Sequence, residues 1–112
     1  MSGGQSSSEA AVMDTPEIDG FGVLRHRGSW MSLAPTQEAI IRVLIEHRGC
    51  AVTRAELAAA TWPHGAPDHH AIDVHLHRLR PRLAKMGLVV HTLRGRGFML
   101  ESLGGEAATR RI

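Results

Sequence analysis

Residues 71–83, AIDVHLHRLRPRL, crowd Arg78, Arg80 and Arg82 together with the imidazoles of His75 and His77 into one short segment. A second cluster, RGRG at 94–97, sets Arg94 and Arg96 beside glycines. Guanidinium groups at this density suit the grip on phosphate. Each neutralised phosphate releases condensed counterions, and the planar fork can also donate two parallel bonds to a guanine edge. Metal chemistry is the rival use for the histidines, of which the chain has eight. His75 and His77 are two apart, so on a helix they point in different directions, and no acidic cluster accompanies them. Satisfied surface imidazoles are the simpler reading, and neither an enzyme nor a cofactor is expected.

The charge is unevenly divided. The net charge is only +2, yet residues 1–20 carry Glu9, Asp14, Glu17 and Asp19 with no Lys or Arg, a local charge of −4. Residues 74–100 carry Arg78, Arg80, Arg82, Lys85, Arg94 and Arg96 with no acid. Such asymmetry is the footprint of a chain that docks on a polyanion, although a solvated basic face accounts for the charge alone equally well. Spacing has to decide between them.

A chain of 112 residues, 43% of them hydrophobic, suffices for one domain with a modest core. No run approaches the ~18 apolar residues of a membrane span, and the start lacks the basic and apolar blocks of a secretory signal, so a cytoplasmic location without a membrane partner is expected. One cysteine, Cys50, supplies neither an internal disulfide nor a paired-cysteine zinc site. The core must hold by packing.

The elements that position the basic clusters can be read along the chain. Residues 1–20, rich in Gly, Ser and acids, read as a disordered arm, 21–101 as the folded domain and 102–112 as a flexible tail. FGVLRHRGSWMSL suggests a β-hairpin turning at Gly28. Pro35 suits the first position of a helix, whose stripe Ile40, Ile41, Val43, Leu44 and Ile45 runs toward Gly49. Thr53 with Glu56 three residues on forms a capping box, which starts a second helix near Arg54 that ends near Trp62. In the third helix, about 69–86, Ile72, Leu76, Leu79 and Leu83 fall within an arc of roughly 60° and fix the buried side. His70, Val74, His77, Arg78 and Pro81 take the opposite side, with Asp73 and Arg80 on one flank and His75 and Arg82 on the other. Gly87 suits a helix terminator, and LVVHTL and FMLE then form a hairpin tipped by RGRG.

Hairpin, three helices and a basic hairpin in this order, together with LAPTQEAIIRVLIEHRGCAVTRAEL, TW, DVHLHRLR and HTLRGRGF, resemble the OmpR/PhoB-type DNA-binding domain of response regulators from about Val23 to Glu101. The resemblance implies an α+β winged helix-turn-helix: a three-helix core with a short N-terminal β-hairpin and a C-terminal β-hairpin wing. It also implies a sequence-specific transcriptional regulator of double-stranded DNA, with helix three in the major groove and the 94–97 wing in the minor groove. Arg78 matches the base-contacting arginine, while Val74, His75 and Arg80 match positions where the helix meets the DNA backbone. Thr92, Arg94 and Arg96 match the wing, Gly97 and Phe98 the glycine-aromatic pair closing it, and Trp62 a tryptophan that packs and can touch phosphate. The 63–69 loop matches the segment facing RNA polymerase in activators, and a homodimer on tandem sites is allowed. The alternative is a winged module that binds RNA polymerase or another regulator, with DNA contact weak or absent; retention of Arg78, Arg80 and Arg94 speaks against it.

Several residues depart from the family pattern. Ala34 replaces a hydroxyl cap and Glu38 a core aromatic, so a looser start to helix one is expected. His70 and His77 stand where arginines are common. Pro81 cannot donate to the carbonyl of His77 and should bend or end the helix near Arg80. The 112 residues leave no room for a receiver domain, so control by phosphorylation in cis is not expected.

Overall fold

The computed structural model describes residues 15–103. Strands β1 (Glu17–Ile18), β2 (Val23–His26) and β3 (Ser29–Ser32) form an antiparallel sheet in that order. Helices α1 (Pro35–Glu46), α2 (Arg54–Thr61) and α3 (Ala71–Ala84) follow, and β4 (Leu88–Leu93) with β5 (Gly97–Ser102) makes the closing hairpin. Among the described residues no helix is long and apolar enough to cross a membrane.

The first hairpin turns at Arg27 and Gly28, both at positive φ, as expected for a two-residue turn closing the His26–Ser29 pair. The sheet also extends where a disordered arm was expected. Glu17 and Ile18 pair with Arg25 and Leu24 because Asp19 turns the chain, its Oδ1 accepting from the amides of Phe21 at 2.8 Å and Val23 at 3.0 Å. These amides, Val23 first, hold the Asp19 carboxyl below the usual carboxylate range. Ile18 then packs on the core, which distinguishes it from its polar neighbours. Of the expected arm, residues 1–14 lie outside the described residues, as do residues 104–112 of the tail; Ser102 is the last residue of β5.

One core gathers every element. Leu24 of β2, Ile40, Ile41 and Leu44 of α1, Leu57 of α2, the expected stripe of α3, and Leu88, Val90, Phe98 and Leu100 of the hairpin are all buried. At ~25 cal/mol per Å² of apolar surface, this cluster is the main support of a fold without disulfides. Among the described residues one polar side chain is buried with it: His26, 2% exposed, lies 2.6 Å by Nδ1 from the carbonyl of Met86 and 2.9 Å by Nε2 from the Ser102 hydroxyl. The imidazole thereby ties the first sheet to the end of α3 and to β5.

Local signals start the helices. Thr53 Oγ1 accepts from the Glu56 amide at 3.0 Å and the Glu56 carboxylate from the Thr53 amide at 2.8 Å, the reciprocal cap its sequence called for. The start of α1 is secured without a hydroxyl: Gln37 Oε1 accepts from the Ala34 amide, and Glu38 pairs with Arg42 at 2.6 Å. Of the two outcomes expected at Pro81, an end to the helix is not found, since α3 runs on to Ala84. Pro81 and His77 are both exposed, so water can serve the carbonyl that the ring leaves without a donor, while buried Leu79 and Leu83 hold the last turn to the core.

Candidate nucleic-acid interface

Burial of Ile72, Leu76, Leu79 and Leu83 turns the other side of α3 outward. Val74, 45% exposed, His77 and Arg78 share that side, and His70 stands exposed just before it with its amide donating to Asp68 Oδ1 at 2.7 Å and its ring edge-on to His69. In the hairpin, Arg94, Gly95 and Arg96 form the exposed tip, closed by the Arg96 amide donating to the Leu93 carbonyl at 2.8 Å. Among the described residues, no protein partner engages the guanidinium groups of Arg78, Arg94 or Arg96.

The acids nearby are already committed. Between residues 71 and 103 the only carboxylates are Asp73 and Glu101. Asp73 accepts two bonds from Arg54, at 3.0 and 2.9 Å, and Glu101 lies 2.6 Å from His91 across the hairpin. Arg54 also lies over the Phe98 ring, 5.3 Å from its centroid, so it joins the start of α2 to α3 and to the base of the wing. The bidentate bonds from Arg54 hold the Asp73 carboxyl below the usual carboxylate range and raise Arg54 further. A carboxyl lowered on folding stabilises the fold above its unfolded value near 3.8 and ceases to do so as pH falls through the lower folded value. Asp73→Asn is therefore expected to cost no more than ~1 kcal/mol at pH 7, the pair being about half exposed, with the gap closing as urea unfolding is repeated below pH 3.8.

Other expected contact residues turn inward. Phe98, matched to the closing of the wing, is 2% exposed and packs in the core, and Gly97 lies against the backbone of Val52, so both shape the base of the wing. Trp62 is half-buried against the core, with the His75 ring 6.0 Å from its own. Nδ1 of His75 is buried and has no hydrogen-bond partner among the described residues. Arg80 curls back onto β4, and the Thr92 hydroxyl accepts from it at 2.7 Å. Arg82 donates to the Ser32 carbonyl.

A family model described as "Transcriptional regulatory protein, C terminal" matches residues 28–100. The chain belongs to this family. It is an OmpR/PhoB-type DNA-binding domain, a domain of transcription regulators. The transcriptional regulatory protein PrrA of Mycobacterium tuberculosis is 33% identical over 99 residues, covering 85% of this chain and 42% of that protein. The C-terminal domain of the nisin resistance regulator NsrR, a lantibiotic response regulator, superimposes with a TM-score of 0.67 at 26% identity, covering 77% of this chain and 90% of that one. The DNA-binding domain of response regulator AdeR, solved in complex with an intercistronic region, gives a TM-score of 0.65 at 24% identity, covering 79% of this chain and 95% of that one. The chain spans about a third to two-fifths of the length of the curated regulators it matches. The fold expected from sequence, a winged helix-turn-helix, is the one found.

Sequence reasoning gave Arg54 no role in this OmpR/PhoB-type domain, although a signal was available. Arg54 is the first residue of α2, at the positive end of the helix dipole, where a cation is disfavoured unless a partner compensates it. The partner, Asp73, is nineteen residues away and one helix over.

Proposed function

We propose that this chain is a sequence-specific DNA-binding regulator in which α3 lies in the major groove and the 94–97 wing in the minor groove. The observation that carries the reading is that Arg78, Arg94 and Arg96 are exposed and uncommitted while the neighbouring acids are engaged elsewhere. A guanidinium without a protein partner can donate its full fork to guanine or phosphate without breaking a bond to the protein. Val74 offers a small apolar contact beside Arg78, and His70 and His77 add donors along the same side. Complex formation by the similar AdeR domain with an intercistronic region supports the same use here.

Two copies on tandem sites, and contact of RNA polymerase with the 63–69 loop, belong to the same proposal; that loop is exposed along its whole length. In vitro transcription with a loop variant that still binds DNA tests the second contact, and unchanged output would remove it.

The first test is equilibrium binding of the whole chain to labelled duplex across a salt series. Affinity should fall linearly on a log–log plot, by ~0.9 in slope for each phosphate neutralised. Absence of duplex binding at low salt would refute the reading. Arg94→Ala should weaken binding most at sites flanked by A·T tracts, whose narrow minor groove concentrates negative potential. Losses that ignore the flanks would take the wing out of the minor groove.

A further inference from the structure

Arg80 differs from Arg78 and from the arginines of the wing. It sits two residues after Arg78 on α3, within the most basic stretch of the chain, yet its guanidinium is turned toward the protein. Nε and Nη2 both donate to the Val90 carbonyl, at 3.2 and 3.0 Å, and Nη2 donates again to Thr92 Oγ1 at 2.7 Å. Three of the five N–H groups of the fork are thus directed at β4. A lysine could not reproduce this, since one ammonium on a flexible stem lacks the planar spread that meets a carbonyl and a hydroxyl two residues apart.

The location of these bonds gives them a consequence for binding. Thr92 is two residues before Arg94, so the latch joins α3 and the wing close to the side chain that each presents outward. Leu79 and Leu83 of α3 and Leu88 and Val90 of β4 also share the apolar core, and apolar packing is not directional. A bifurcated, partly buried guanidinium bond is directional. Resting on the DNA-binding reading above, we propose that Arg80 is a positioning residue and not a phosphate contact: it fixes the bearing of the wing relative to α3, so that Arg78 and Arg94 reach their grooves together. Orientation fixed beforehand spares the complex the ordering cost of a swinging hairpin.

The test uses the whole chain and a fluorescein-labelled duplex, with Arg80→Ala, Arg80→Lys, Thr92→Val and the double variant Arg80→Ala/Thr92→Val. A positioning role predicts four results. Arg80→Ala loses ~3- to 10-fold in affinity while the salt slope stays at the wild-type value. Arg80→Lys fails to restore binding, and Thr92→Val is weakened in the same direction. The double variant is no worse than Arg80→Ala, as expected for two ends of one interaction. Amide exchange in the free Arg80→Ala protein should also quicken at Val90–Thr92. Thermal unfolding identifies any variant that is not folded at the assay temperature; Thr92→Val, which keeps a β-branched side chain in the strand, then carries the test. A salt slope shallower by ~0.9 in Arg80→Ala, with Arg80→Lys near wild type and Thr92→Val silent, makes Arg80 a phosphate contact and overturns this inference alone. A wild-type chain that binds no duplex overturns the DNA-binding reading as well.

Discussion

Gly97→Ala is expected to destabilise the domain by roughly 3–5 kcal/mol, the largest loss anticipated for a methyl group added at any described glycine. Gly97 has φ +115, a conformation that costs an alanine dearly, and a Cβ built there would lie 2.1 Å from the Val52 carbonyl oxygen and 2.7 Å from Thr53 Cα. Both obstacles are backbone, so no side chain can swing aside. To make room, the chain would have to open the Val52–Phe98 bridge, whose two hydrogen bonds measure 2.7 and 2.8 Å, and draw the Phe98 ring out of the core. For a domain whose whole stability is about 5–15 kcal/mol, this leaves little margin. Gly95→Ala is the control: that residue also has positive φ, but nothing lies within 4 Å of the added carbon, so a cost nearer ~1 kcal/mol is expected. Urea unfolding of the two variants decides the matter. Equal midpoints would mean that the wing base is not held as described.

Arg78→Ala should leave stability unchanged and cost ~1–3 kcal/mol, about 5- to 150-fold, on the best binding site. Arg78 is exposed and engages no protein group among the described residues, so truncation removes nothing from the fold. If its fork reads a base, the loss should concentrate on the preferred site and relax preference at one position, while affinity for unrelated duplex falls only slightly. Equal losses on preferred and unrelated sequences would make Arg78 a phosphate contact and leave the base reading without a residue to carry it.

Local and periodic signals made much of this molecule legible in its sequence. The Thr53–Glu56 box set the start of α2, the four leucine and isoleucine positions of α3 fixed its buried side, and the glycines around Arg94 and Arg96 marked the wing. What escaped depends on partners distant in the chain. Glu17–Ile18 becomes a strand only because Asp19 folds it onto β2, and two residues carry no period. Arg80 and Arg78 look alike in sequence, and only the nearness of Val90 and Thr92 turns one inward. Phe98 reads in sequence as closing the wing, but its burial goes with the bridge to Val52, forty-six residues away. The helix does not stop at Pro81 for a related reason: a helix-breaking rule weighs the lost hydrogen bond, whereas the outcome also depends on whether the orphaned carbonyl faces water. His26 has no sequence signal, because an imidazole in a short strand gives no hint of the Met86 carbonyl and Ser102 hydroxyl that receive it.

The most direct test of the central claim is a selection of duplexes from a random-sequence library by the purified chain, read out by sequencing. Sequence-specific binding through α3 predicts a reproducibly enriched motif, and the same selection with Arg78→Ala should return that motif with preference relaxed at one base pair. Retention of duplex with no enriched motif, or a motif that Arg78→Ala leaves intact, would contradict it.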